Sequence, residues 1–250
     1  MIYRCTLLLG TFLLLGAAEM PSGPITLNPA QAEKEGRALV AEILAQKPAQ
    51  NSTNVGVLKI RRPNNVRLEV PVQFKIIVTP TNWLSVYETV TSSNNVRLTV
   101  AHRENRQNQY TLSRSKSGHP TTSRDLSGSA AMIPFADSDF WLADLGLEFF
   151  QWPSQMLVRK EMKRSRSCKV LESVNPKAKL GEYARVLSWI DNESNGIIHA
   201  EAYGLDDKKI KEFDPKDFKK VDGQWQLQEM EIRNMPDNSS TRIEFNLGAK

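Results

Sequence analysis

The residues with the clearest chemical potential lie between positions 137 and 150. The stretch reads Asp137-Ser-Asp-Phe-Trp-Leu-Ala-Asp-Leu-Gly-Leu-Glu-Phe-Phe150. Asp137, Asp139 and Asp144 could ligate a cation, but they lack the regular ligand spacing and terminal Glu of a calcium loop. Capping a short helix is the simpler use, with Asp137 or Ser138 at the cap. Other catalytic signals are missing. The chain has no Gly-x-Ser-x-Gly, no His-Glu-x-x-His and no Gly-rich loop leading into a helix. His102, His119 and His199 fall in three separate predicted elements. Two cysteines in 250 residues exclude a disulfide scaffold and a cysteine-rich metal site. No catalytic residue, metal or cofactor is expected.

One basic cluster stands out: Arg159, Lys160, Lys163, Arg164, Arg166 and Lys169, diluted by Glu161. On alternating strands these residues would cover a solvated sheet face. As a site, they would suit lipid phosphates or an acidic partner protein. The mixed-sign run Asp206 to Lys220 reads as solvated. A net charge of +5 is too small for a dedicated nucleic-acid binder, and no nucleic-acid partner is expected.

The elements that position these residues begin with an address. Arg4 precedes an apolar run, Cys5 to Gly16, which ends in Gly16-Ala17-Ala18. This is the pattern of a signal peptide, residues 1–18, cleaved near Ala18. Glu19 stands where a lipoprotein would need cysteine, so a periplasmic, unanchored mature chain is expected. It keeps a small positive charge and one cysteine, Cys168, read as a buried apolar residue.

Asn28-Pro29 marks a helix start, and Lys47-Pro48 its end. Leu39, Val40, Ile43 and Leu44 recur between them at helical spacing. The period then changes to two. Val66, Leu68, Val70, Val72, Phe74, Ile76 and Val78 alternate with polar neighbours, predicting a long strand with one dry face. Pro71 suggests an edge or a bulge. Ten further strands are predicted: 83–90, 96–102, 110–114, 156–164, 167–174, 183–191, 197–203, 208–213, 225–232 and 241–247. Asn195-Gly196 and Asp222-Gly223 read as hairpin turns. A slip in apolar phase predicts a bulge near Gln228–Glu229. Residues 115–136 are Ser-, Gly- and Thr-rich and read as loop. An antiparallel meander of 10–11 strands should curl. The aromatic segment would then bury Phe140, Trp141, Leu145, Phe149 and Phe150 against the concave face.

At this segment a resemblance appears. Pro134, Ser138-Asp139-Phe140 and Asp144-Leu145 are similar to the Pro…Ser/Thr-Asp-Phe-x-x-x-Asp-Leu pattern of outer membrane lipoprotein-sorting proteins, relatives of the LolA carriers. Similarity continues through Cys168–Glu172, Tyr183–Asp191, Ala200–Tyr203, Gly223–Trp225 and Thr241–Phe245. The second half, about 134 to 247, carries nearly all of it. Asp137 stands where relatives often have Gly. The resemblance implies an α+β fold, mostly antiparallel β. It would be an unclosed barrel with helices over its open side, formed by residues 19–250 as one domain. It also implies that Phe140 and Leu145 face the sheet, while Asp139 and Asp144 hold the helix in place.

Together these features lead to a non-enzymatic periplasmic protein that holds a lipid, or the acyl chains of a lipoprotein, between curved sheet and helices. The expected lining is Leu39, Val40 and Ile43 from the first helix and Phe140, Trp141 and Leu145 from the second, joined by Val70, Phe74 and Trp83. Contact with a membrane surface, or with envelope proteins, would accompany loading. Two rivals use the same sequence. An envelope-stress sensor or scaffold would carry a filled interior and an exposed apolar outer face. A hydrolase would need His102 or His199 beside a serine or carboxylate in a cleft.

Overall fold

A computed structural model describes residues 28–103, 106–221 and 224–247. The signal peptide read into residues 1–18, and the turn at Asp222-Gly223, lie outside the described residues.

The chain opens with helix α1, Pro29–Leu44. Asn28 caps it by accepting from the Gln31 amide at 2.8 Å, and Pro29 sits where a missing N–H costs nothing. Ala32, Gly36, Leu39 and Val40 form its buried stripe. Six strands follow: β1 Ser52–Arg61, β2 Arg67–Val78, β3 Asn82–Thr89, β4 Asn94–Arg103, β5 Gln109–Lys116 and β6 Thr122–Leu126. An aromatic strap, residues 127–153, contains the one-turn helix α2, Leu142–Leu145. Seven more strands complete the described chain: β7 Ser154–Lys163, β8 Arg166–Val174, β9 Arg185–Asp191, β10 Ile197–Tyr203, β11 Lys209–Val221, β12 Gln224–Asn234 and β13 Ser239–Phe245.

All thirteen strands form one sheet, ordered β6-β5-β4-β3-β2-β1-β13-β12-β11-β10-β9-β8-β7. Every neighbouring pair is antiparallel. Two meanders meet at β1 and β13, where Leu58 lies opposite Ile243. The outermost strands, β6 and β7, do not pair with each other, so the barrel is unclosed. The strap joins these two edges and fills part of the curve. Phe135, Phe140, Leu142 and Phe150 share one core with Leu58, Leu98, Val100, Tyr110, Ile232 and Ile243. A smaller core, with Cys168, Val170, Leu187, Trp189 and Ile198, covers the opposite face.

Several expectations need correction. The described residues form thirteen strands, where 10–11 were expected. β1 buries only Leu58 and Ile60, too few for the period of two to show. β6 falls inside the predicted loop; it is an edge strand, Thr-Ser-Arg-Asp-Leu, whose first four residues are polar and exposed. β2 lies inside the sheet and has no bulge at Pro71, but its pairing with β3 stops at Val72, so Pro71 stands at a local edge on that side. It is tolerated because its carbonyl accepts from the Val90 amide just past the end of β3, where no strand partner awaits its missing N–H. The predicted dry face is drier at one end than the other: Val66, just before β2, and Leu68 are exposed, while Val72 is buried. The second helix is a single turn capped at Trp141, not at Asp137 or Ser138. Ala136 and Asp137 instead adopt left-handed backbone. At the predicted bulge the register does slip, leaving Gln228 without an opposite residue. Leu227 and Met230 can then both face the interior.

Candidate functional site

The strap is pinned from below by charged and polar side chains. Asp139 accepts from the hydroxyls of Ser239 and Thr241 on β13, the latter at 2.7 Å, and its amide donates to Thr241 Oγ1 at 2.9 Å. Asp144 accepts from the Trp141 amide at 2.7 Å, closing the first turn of α2, and from the Tyr183 hydroxyl at 3.3 Å. Lys211 on β11 reaches up between them. Its Nζ donates to the Asp139 carbonyl at 2.7 Å, pairs with Asp144 at 3.3 Å and lies 3.7 Å from the centre of the Trp141 ring. Burial pulls the Lys211 pKa down to about 8, against the pull of Asp144. Both aspartates thus hold the segment in place, as the resemblance implies. The sequence gives no sign of Lys211, which falls in a run that reads as solvated.

The other meander holds the far end of the strap. The Tyr87 hydroxyl donates to the Leu145 carbonyl at 3.3 Å, Asn108 Nδ2 to the Gly146 carbonyl at 2.7 Å, and the Tyr110 hydroxyl to Glu148 at 2.8 Å. Burial pushes the Glu148 carboxyl up to about 7. Gly146 is required here, because a side chain would enter the Tyr110 ring.

The other cover is α1, which packs on β7. Its Gly36 faces the backbone of Gln155, where a Cβ would lie 2.5 Å from the carbonyl oxygen. Glycine therefore lets the helix rest almost directly on the strand. Gln155 itself ties β7 to the strap, donating to the carbonyls of Phe149 and Trp152 at 2.9 and 3.0 Å.

Strap, helix and sheet do not fill the curve between them. A cavity of about 1170 Å³ remains, larger than the roughly 300–1,000 Å³ common for ligand sites. Val40 and Ile43 of α1 line it, as do Phe74, Trp83, Phe140 and Leu145. Leu39 is not in the lining; it is buried against the core. Val70 is half-buried and packs on the core instead. Trp141 stacks on Tyr183, with ring centres 4.4 Å apart, and is also absent from the lining. The wall further includes Phe149, Phe150, Trp152, Ala200, Phe213, Met230 and Phe245, which come together only through the fold. Alternation put Phe213 and Phe245 on strands, but no local signal tells a cavity wall from a packed core.

Several titratable groups away from the apolar wall are engaged with one another. His199, Glu212 and Asp214 form the one group among the described residues able to hold a metal ion. It lies among cations. Asp214 already meets His199 Nδ1 and Arg164 at 2.7 Å each, and Glu212 meets Lys209 at 3.6 Å. A divalent ion would have to displace these charges. Much of the basic cluster is likewise paired within this outer face: Arg159 with Glu161, Arg164 with Asp214 and Arg166 with Asp191. Cys168 is buried there. His102 contacts Ser85 Oγ at 3.1 Å, the arrangement a hydrolase would need. Ser85, however, is buried and does not line the cavity. Burial also drops the His102 pKa to about 4, despite an opposing hydrogen bond with Asn108, leaving a weak base. His119 is exposed in the turn after β5.

The molecule resembles several solved structures. A DUF1329 family protein from Desulfovibrio piger superposes with a TM-score of 0.69 at 18% identity, over 88% of this chain and 95% of the other. A domain provisionally named an outer membrane lipoprotein-sorting protein, from Vibrio parahaemolyticus, gives 0.69 at 14% identity, over 87% and 95%. A LolA superfamily protein from Nitrosomonas europaea gives 0.56 at 12% identity, over 88% and 92%. At these identities the likeness establishes the fold. A search of curated proteins finds no match. A family model described as "-like: Uncharacterized protein" matches residues 87–247, from β3 to the end of the described chain. The chain therefore belongs to that family, and it carries the unclosed antiparallel barrel of the LolA-like proteins.

Proposed function

We propose that this protein is a non-enzymatic carrier that holds a lipid, or the acyl chains of a lipoprotein, inside its half-barrel. The observation that supports this reading is the cavity of about 1170 Å³ between α1, the strap and the concave sheet. Its wall includes Val40, Ile43, Phe74, Phe140, Leu145, Phe149, Phe213 and Met230, which suit hydrocarbon. Each methylene taken from water contributes ~0.8 kcal/mol, so one acyl chain can supply useful affinity. The neighbour from Vibrio parahaemolyticus bears a name tied to lipoprotein sorting, which accords with this reading.

In this account the two covers play different parts. The strap is fixed by Lys211, Asp139 and Asp144 on one side and by Tyr110 and Asn108 on the other. Helix α1 rests on β7 through an apolar stripe and the close approach at Gly36. Loading and release therefore open the site at α1 while the strap stays put. The proposed setting is the periplasm, reached through the signal peptide of residues 1–18. Among the described residues no helix is long and apolar enough to cross a membrane. Native mass spectrometry of the mature protein, with lipid extraction, tests the reading. Co-purifying lipid, or saturable binding of a fluorescent fatty acid, is expected. The absence of both would contradict it.

A further inference from the structure

The charges in the cavity wall are one-sided. The charged groups in its wall are Arg37, Lys47, Arg103, Arg106 and Lys211, against one carboxylate, Asp144. Lys211 and Asp144 neutralise each other inside, and Arg37 pairs with Glu33 on α1. Arg103 and Arg106 are exposed, and no ion pair engages them among the described residues. Arg103 ends β4 directly opposite Asn82, which begins β3. Arg106 follows in the same turn, its amide donating to the Arg103 carbonyl at 3.4 Å. Together with Thr81 and Asn82 they line a second hollow of about 300 Å³. All four residues also line the large cavity, so the two spaces adjoin. Trp83 and His102, the chain neighbours of Asn82 and Arg103, also line the large cavity and stack with ring centres 3.7 Å apart. Glu104 lies outside the described residues.

An apolar chamber that opens onto two arginines, a threonine and an asparagine has the two halves of an amphiphile site. We propose that Arg103 and Arg106, with Thr81 and Asn82, receive an anionic oxyacid head group, carboxylate or phosphate, whose hydrocarbon tail fills the chamber. Arginine's planar fork of N–H donors matches such oxygens in a bidentate manner. Threonine and asparagine supply further neutral donors. The guanidinium groups are solvated, so the head group sets preference and orientation, and the tail supplies most of the affinity.

This inference rests on the carrier reading and is separable from it by experiment. Dodecanoate, dodecyl phosphate, dodecanol and dodecyltrimethylammonium share one tail and differ in head. Each is titrated against a fluorescent acyl probe on the full mature protein, at low and high salt. The two anions are expected to compete about tenfold better than dodecanol at low salt, and the cation worse. The advantage shrinks as salt screens the arginines. In Arg103→Gln/Arg106→Gln, whose fold is checked by circular dichroism, the ratio of anion to alcohol affinity falls to about one. Inorganic phosphate alone should leave the probe in place; displacement by it would show a bare anion site and overturn the proposal. Equal competition by anion and alcohol in the unaltered protein, or an unchanged ratio in the variant, would also overturn it while leaving the carrier reading intact. If no amphiphile competes and the probe itself fails to bind, both readings fall.

Discussion

Lys211 and Asp144 form a buried ion pair of 3.3 Å beneath the aromatic strap, with the Lys211 side chain only 2% exposed. They join two parts of the chain that are 67 residues apart. Through this pair the strap is anchored to the sheet rather than draped over it.

A buried charge that loses its partner is costly. Asp144→Ala strips Lys211 of its counter-charge and the Trp141 amide of its cap. A loss of ~3–5 kcal/mol is expected in urea unfolding. Asp144→Asn with Lys211→Met removes both charges, and its cost should be well below the sum of the single variants. Additive losses would show that the two do not act as a pair.

Glu148 gives stability a pH dependence with a definite sign. Its carboxyl titrates at about 7 when folded, against 4.5 in its ordinary state, because burial disfavours the charge. Between about pH 4.5 and 7 the folded protein keeps a proton that the unfolded chain has released. This contribution is therefore fully present at low pH and is lost as pH rises through that window. Glu148→Gln stays neutral throughout. It should flatten the slope of stability between pH 5 and 7.5 and raise stability at pH 8 by ~1–3 kcal/mol. An unchanged slope would sink the assignment.

Gly36 sets how closely α1 meets β7. Gly36→Ala would normally favour a helix by ~1 kcal/mol. Here the added methyl meets the Gln155 backbone, which cannot swing aside as a side chain can. A net loss of ~1–3 kcal/mol in thermal or urea unfolding is expected. A stabilised variant would mean that the helix is free to ride higher.

These features were unequally legible in the sequence. Asn28-Pro29 and the stripe containing Leu39 and Val40 announce α1 through local rules, and most strands show their period of two. β1 and β6 escaped because half-covered and edge strands need few apolar residues. Asp139 and Asp144 were visible as a motif, but their partners Ser239, Thr241 and Lys211 were not. A lysine bound for the interior has no mark that separates it from its solvated neighbours. The cavity escaped for a different reason. It is the space left once the strap, α1 and the sheet have packed, so it is encoded in no segment. Leu39, Val70 and Trp141 show the limit: they are as apolar as Val40, Phe74 and Phe140, yet stand just outside the wall.

Filling that space should separate binding from stability. Ala200 lines the cavity from β10. Ala200→Phe would place a ring where the account puts hydrocarbon. Acyl-probe affinity should fall at least tenfold, without the ~1–3 kcal/mol loss that overpacking brings to a filled core. Strong destabilisation with binding retained would argue that the void is not the site.

The most direct measurement uses the tryptophans in the wall. Trp83 and Trp152 line the cavity, whereas Trp189 lies on the outer face. Fatty acids brominated along the chain should quench tryptophan emission saturably, and Trp83→Phe/Trp152→Phe should remove most of that quenching while a fluorescent acyl probe still binds. Quenching that persists unchanged in the double variant, or none at all from a bound brominated chain, would place the hydrocarbon elsewhere and contradict an interior carrier site.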